Sequence, residues 1–161
     1  MLPLLGVVTR RALFSLSKDS EYEVLGKDKL LVNEQVGQLF EERVQIARSV
    51  VFDSLFAREK LGSTGLGQGI AIPHGRIKGL KSTLAAFLRP RQPIPFDAPD
   101  GDPVTQVFVL LVPEQATEEH LQLLSELAQM FSEKSFRDQI ALATDTASLH
   151  RLFSSWKGDS L

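Results

Sequence analysis

Cysteine is absent from this chain of 161 residues, and histidine occurs only three times. Without cysteine the protein can form neither disulfides nor thiolate metal sites. The formal net charge is −2 at pH 7, so no excess of positive charge attracts the phosphate backbone of DNA or RNA. These absences argue against disulfide-bonded, thiolate-metal and nucleic-acid-binding classes of protein. They also restrict histidine chemistry to His74, His120 and His150.

Long apolar runs are missing as well. No stretch approaches the roughly 20 apolar residues that a membrane helix needs. The segment from Met1 to Val8 is apolar, but Arg10 and Arg11 follow it, whereas a signal peptide carries its positive charges first. We therefore expect no membrane insertion and a cytoplasmic location.

The length and composition are those of one soluble globular domain, with 43% hydrophobic and 24% charged residues. Residues 1–27 show no readable periodicity. Beyond them, apolar residues at helical spacing predict three longer helices, over residues 29–43, about 45–60 and about 118–131. Two short C-terminal helices follow, the first capped by Ser132 and the second by Thr144 or Asp145.

Strands are predicted at residues 70–72, 83–89 and 104–112. The six consecutive apolar residues from Val107 to Val112 indicate a strand that is covered on both faces. Strands and helices in this order predict an α/β fold, in which a single domain has a mixed central β-sheet flanked by helices.

A glycine-rich stretch precedes the first histidine. Residues 58–75 read REKLGSTGLGQGIAIPHG. Pro73 fixes its own φ and Gly75 has no side chain, so His74 would stand on a rigid and approachable backbone. A hydrogen-bonded structural histidine remains the alternative. The glycines fit neither a P-loop, which needs Lys and then Ser or Thr where Gln68 and Gly69 stand, nor a Rossmann turn.

Two further residues are predicted to face inward. Arg58 lies on the apolar side of the second helix in its last turn, where it could bind a buried anion or complement the helix C-terminus. His120 lies on the inward stripe of the third helix, where burial and the helix dipole favour the neutral imidazole. His150 lies beside the apolar stripe of the last helix, so we expect a surface residue. No metal site is expected, because His74 and His120 lack partners at ligand spacing.

The run from Ala57 to Gly75, together with the loop IPFDAPDGDPV at residues 94–104, resembles the nitrogen-regulatory IIA family of the bacterial phosphotransferase system. That family lies within the fructose/mannitol IIA group. The resemblance implies a fructose/mannitol IIA-like phosphoacceptor domain over residues 28–157. It also implies that Nε2 of His74 accepts a phosphoryl group from a phosphocarrier protein (HPr- or NPr-like).

The same resemblance gives roles to other residues. His120 matches the family's second active-site histidine and would donate a hydrogen bond to the phosphate, while Arg58 would stabilise its charge. The residues themselves, and not the resemblance, suggest that backbone N–H groups of the Ser63 to Gly67 turn complete a phosphate cradle, with Ser63, Thr64 and Gly65 as the candidates. No cofactor is implied.

The function implied is that of a phosphotransferase component with a phosphohistidine intermediate. Its phosphorylation state would regulate target proteins, linked to nitrogen metabolism, and its role could be purely regulatory. Two alternatives stay open. One is a sugar-specific fructose- or mannitol-type IIA that passes phosphate to a IIB protein, and the other is a binding module without transfer chemistry.

Overall fold

The computed structural model describes residues 29–90, 92–115, 117–143 and 145–156, and the poorly readable segment 1–27 lies outside them. The described residues contain five helices and five strands. In chain order these are α1 (Lys29–Val44), α2 (Arg48–Lys60), β1 (Gly65–Gly67), β2 (Ile70–Ala71), β3 (His74–Ile77), β4 (Leu84–Leu88), β5 (Gln106–Pro113), α3 (Thr117–Ser132), α4 (Lys134–Leu142) and α5 (Thr146–Ser155).

Strand β5 is the centre of the sheet. It pairs antiparallel with β4 and parallel with both β2 and β3, while β1 adds to β2 in antiparallel orientation. Val107, Leu110 and Leu111 each have one partner in β4 and a second in β2 or β3, so β2 and β3 share one edge of β5. The mixed central sheet predicted from the sequence is confirmed.

Strands β2 and β3 therefore lie end to end along β5, separated only by Ile72 and Pro73. Proline has no backbone N–H, so it cannot donate to a ladder. The Pro73 carbonyl still accepts a hydrogen bond from Leu110 N at 3.0 Å, which keeps the two strands in line. The interruption leaves His74 as the first residue of β3.

The core is one cluster to which every helix and strands β2 to β5 contribute buried side chains. Val107 to Val112 are each at most 1% exposed, so the predicted strand is covered on both faces. Phe153 packs against Phe87, Phe108, Phe131 and Phe136 with ring centroids 5.2–6.1 Å apart. Burying each such ring contributes roughly 1.5–3 kcal/mol, which ties the C-terminal helix to the sheet.

Helix α2 packs unusually close to strand β3. The hydroxyl of Ser54 donates to the carbonyl of Arg76 at 2.9 Å, and a Cβ built at Gly75 would lie 2.1 Å from that hydroxyl oxygen. Only glycine permits this approach. Because Arg58 is one turn after Ser54, the contact brings its side chain beside the start of β3.

The second helix starts later than predicted. The sequence prediction began it near Gln45, but Gln45 has a φ of 58° and Ala47 is extended with a ψ of 131°. Neither residue is helical, so α2 begins at Arg48. Apolar periodicity did not reveal this break because both flanking segments keep their buried faces.

The cap of the fourth helix also differs from prediction. Ser132 ends α3, and its hydroxyl donates to the carbonyl of Gln129, while Glu133 precedes α4 without a side-chain cap bond. Asp145 caps α5 by accepting from Ser148 N at 2.7 Å, as predicted. Across the ranges that the structure describes, no helix combines the length and apolar character needed to cross a bilayer.

Candidate functional site

His74 is held by its own backbone neighbourhood. Its Nδ1 lies 2.7 Å from the carbonyl oxygen of Ile72. A carbonyl can only accept, so this contact requires a proton on Nδ1. In the neutral ring Nε2 is then the nitrogen with the lone pair.

Arg58 contacts the other nitrogen of the same ring. Its Nε donates to Nε2 of His74 at 3.1 Å, which again requires a lone pair on Nε2. Its Nη1 donates to the carbonyl of Gly62 at 2.8 Å. The sequence left open whether Arg58 faces inward or complements the end of its helix. The structure shows both, because Arg58 contacts His74 and also the carbonyl of Gly62 just after the helix.

His120 lies in the first turn of α3 and faces His74. The two ring centroids are 5.2 Å apart with an interplanar angle of 65°. Nδ1 of His120 is buried and has no hydrogen-bond partner within the described ranges. An unpaired buried polar atom is costly unless a ligand satisfies it, so this nitrogen is available to a group that enters the site.

Both imidazoles are recessed but reachable, with 8% of His74 and 7% of His120 exposed. Burial, followed by the positive charge of Arg58, lowers the pKa of His74, although the hydrogen bond to Ile72 and the charge of Glu59 oppose this. Burial, followed by the charges of His74, Arg76 and Arg58, lowers the pKa of His120 to about 4. At pH 7 both rings are therefore neutral, while the surrounding charge is positive. The site is a pair of neutral imidazoles beside a guanidinium, which suits an anion.

The turn predicted to bind phosphate has partners of its own. The Ser63 hydroxyl donates to the carbonyl of Phe96 and accepts from Gly65 N at 3.0 Å. The Thr64 hydroxyl and backbone N–H donate to Glu59 at 2.6 and 3.0 Å. A phosphate contact by Ser63, Thr64 or Gly65 remains a prediction, and these donors would have to exchange partners to make it.

Glu59 is the residue that sequence reasoning missed. Its carboxylate accepts from Thr64 and also from Lys29 Nζ at 3.0 Å, and Lys29 reaches Asp97 at 3.1 Å. The only signal in the sequence is that Glu59 directly follows Arg58. One charged residue near the end of a helix is too common to be distinguished by that position.

The third histidine and the basic residues after His74 differ in their exposure. His150 is half-buried on α5 rather than fully at the surface. Arg76, Lys78 and Lys81 are exposed, and the charge of Arg76 is among those that lower the pKa of His120. Within the residues described, no group of three or more histidines or carboxylates could hold a metal ion.

Comparison with known proteins places this geometry in context. Residues 21–156 match the family model described as phosphoenolpyruvate-dependent sugar phosphotransferase system, EIIA 2. The chain is 46% identical over 130 residues to the nitrogen regulatory protein of Pseudomonas aeruginosa, which covers 80% of this chain and 84% of that protein.

Solved structures of other proteins have a similar fold. Nitrogen regulatory protein IIA-Ntr from Neisseria meningitidis superposes with a TM-score of 0.76 at 48% identity, over 81% of this chain and 90% of that one. IIA mannitol from Escherichia coli superposes with a TM-score of 0.67 at 22% identity, over 81% and 92%. At that lower identity the likeness extends to the fold alone.

Proposed function

Since the chain belongs to the EIIA 2 family of the phosphoenolpyruvate-dependent sugar phosphotransferase system, we propose that it accepts a phosphoryl group on Nε2 of His74. The donor is a phosphocarrier protein (HPr- or NPr-like). In this proposal the phosphorylation state then governs which target proteins are bound, linked to nitrogen metabolism, and the protein works in the cytoplasm.

The observation that carries the proposal is the pair of contacts on the His74 ring. The Ile72 carbonyl fixes the proton on Nδ1, and Arg58 Nε points at the lone pair of Nε2. A neutral imidazole with an oriented lone pair at a partly open face is the form that attacks phosphorus. The lowered pKa of His74 keeps that form present at neutral pH.

The transfer step follows from these positions. The Nε2 lone pair of His74 forms a bond to phosphorus, and the bond from phosphorus to the donor atom breaks with its electron pair staying on the donor. Because Nε2 can no longer accept a hydrogen bond, the Nε–H of Arg58 moves to a phosphoryl oxygen. Nδ1 keeps its proton, and the Ile72 carbonyl stabilises the positive charge that the ring acquires.

His120 supports the same step from a ring whose centroid lies 5.2 Å from that of His74. A neutral imidazole can carry a proton on Nδ1, and within the described ranges this buried atom of His120 has no hydrogen-bond partner. In the proposal it donates to a phosphoryl oxygen. Donors positioned in advance need no reorganisation when charge develops on the transferred group.

The regulatory role is supported by similarity. Relatives of 46% and 48% identity carry the name nitrogen regulatory protein. The sugar-specific and purely binding roles are the alternatives that an experiment must separate.

The test is incubation of the protein with ³²P-labelled phosphocarrier, followed by mass spectrometry at alkaline pH. We expect label on the wild type and no label on His74→Ala. His150→Ala is the control, because it keeps His74 and His120, and it should be labelled like the wild type. Label on His74→Ala would refute the assignment. An unlabelled wild type would leave a binding module, and rapid chase of the label onto a IIB protein would favour the sugar-specific role.

A further inference from the structure

We propose that Glu59 and Thr64 are positioning residues, which hold the carbonyl of Ile72 free for Nδ1 of His74 and thereby select the ring nitrogen that reacts. The inference rests on the proposed function, in which Nε2 is the nucleophile. It gives Thr64 a different role from the phosphate contact expected from the sequence.

The pairing of β1 with β2 shows what is unusual here. Gly65 is paired with Ala71, so the next residues in the antiparallel register are Thr64 and Ile72. Two residues in such a hydrogen-bonded pair normally exchange both N–H···O bonds. Only one of the two is present, from Ile72 N to the carbonyl of Thr64 at 3.0 Å.

Glu59 takes the donor of the missing bond. The N–H of Thr64 points to Oε2 of Glu59 at 3.0 Å instead of to the carbonyl of Ile72. The Thr64 hydroxyl donates to Oε1 of the same carboxylate at 2.6 Å, and Lys29 Nζ donates to Oε2 at 3.0 Å. Hydrogen bonds to a carboxylate are about twice as strong as those between neutral groups, so this capture competes well with a strand bond.

The released carbonyl is the one that holds the imidazole. Because Thr64 N donates to Glu59, the oxygen of Ile72 is left to accept from Nδ1 of His74 at 2.7 Å. Neutral histidine in water favours the proton on Nε2, the tautomer that has no lone pair there. The Ile72 carbonyl therefore opposes the intrinsic preference of the ring. If Thr64 N returned to Ile72, the Nδ1–H tautomer would lose its partner or share it.

Glu59 and Thr64 influence His74 by positioning the backbone and not by transferring charge along a chain of hydrogen bonds. The N–H and the carbonyl of Thr64 belong to different peptide groups, and so do those of Ile72. Glu59 consequently acts by fixing the position of the backbone at Thr64 relative to the backbone at Ile72. The neighbouring residue Arg58 donates to the carbonyl of Gly62 and to Nε2 of His74. Consecutive residues of α2 therefore hold both the turn after the helix and the ring of His74.

The experiment reads the tautomer directly, by ¹⁵N NMR of the imidazole of His74 in the full-length protein without phosphate. The variants are Glu59→Ala, Thr64→Val and Thr64→Ser. The matched control is Glu41→Ala, since Glu41 likewise accepts a backbone N–H and a cation, both from Arg48, at 2.9 and 2.7 Å. Single-turnover phosphorylation by the phosphocarrier is measured alongside.

For Glu59→Ala we expect the ratio of Nε2–H to Nδ1–H tautomer to rise about fivefold, as for the loss of one hydrogen bond. The maximal phosphorylation rate should fall by no more than about fivefold, because the fraction of the reactive tautomer cannot fall further than that, with the KM for phosphocarrier within about twofold. Thr64→Val should change both readouts in the same direction and to a smaller extent. Thr64→Ser, which keeps the hydroxyl donor, should restore most of what Thr64→Val loses in both readouts, and Glu41→Ala should match the wild type.

A wild-type tautomer ratio in Glu59→Ala overturns the inference. So does a Thr64→Val variant that transfers slowly with an unchanged ratio, because Thr64 would then contact the phosphate. Should Glu59→Ala not fold, the Thr64→Val and Thr64→Ser pair decides alone. A wild type that takes no label refutes the proposed function instead, and the tautomer ratios still test the present inference.

Discussion

Lowering the pH from 7 to 5 should destabilise the fold through His120. The pKa of this ring is lowered from 6.5 to about 4 by burial and by the charges of His74, Arg76 and Arg58. Between these two values the unfolded chain binds a proton at His120 that the folded chain does not. Stability therefore rises with pH across this window and falls as the solution is acidified.

The size of the effect follows from the same two values. Linkage gives a loss of about 1.8 kcal/mol between pH 7 and pH 5 for a pKa of 6.5 unfolded and about 4 folded. Solvent partly screens the charges near His120, so we expect the loss of unfolding free energy to be about 1 to 1.5 kcal/mol. Asp100 and Asp145, whose pKa values hydrogen bonds lower, change protonation below this window.

The assay is urea unfolding at pH 7, 6 and 5, followed by the fluorescence of Trp156, the only tryptophan. The wild type should lose about 1 kcal/mol more than His120→Gln over this range. His74 contributes in the same direction to both proteins. Equal pH slopes for the wild type and His120→Gln would refute the reasoning that His120 is held neutral in the fold.

Two further substitutions test the placement of Arg58. Gly75→Ala puts a Cβ 2.1 Å from Ser54 Oγ and should cost about 1–3 kcal/mol in urea unfolding while slowing phosphorylation. Adding Ser54→Gly should restore part of both, and a fully stable Gly75→Ala would contradict the close helix approach. Arg58→Lys keeps the charge but cannot donate to His74 and Gly62 from one planar group, so single-turnover phosphorylation should fall about tenfold to a hundredfold. A wild-type rate in Arg58→Lys would show that charge alone suffices.

Periodicity explains why much of the fold was predictable. The four-three-four spacing of His120, Leu124, Leu127 and Phe131 gave the inward direction of His120, which is buried as predicted. The unbroken apolar run at 107–112 gave the covered central strand. The resemblance in residues 57–75 to the nitrogen-regulatory IIA family is confirmed by the family model and by close relatives.

What could not be predicted depends on register and backbone conformation. The bond from Thr64 N to Glu59 becomes visible only once Thr64 is seen opposite Ile72, because strand register is a tertiary property. Gln45 adopts a positive φ without the glycine that signals such a residue in a sequence. The partners of Ser63 and Thr64 lie 33 residues away and in the preceding helix, and no local pattern encodes either.

The partner of Nδ1 on His74 is an uncharged carbonyl, where many reactive histidines have a carboxylate. A carboxylate would make the ring more basic and would bind an acquired group more firmly. Here the ring is a weak base, and a weak base is a good leaving group. In the proposed function, a phosphoryl group on Nε2 is therefore held at high transfer potential, ready to return to the donor or to move on.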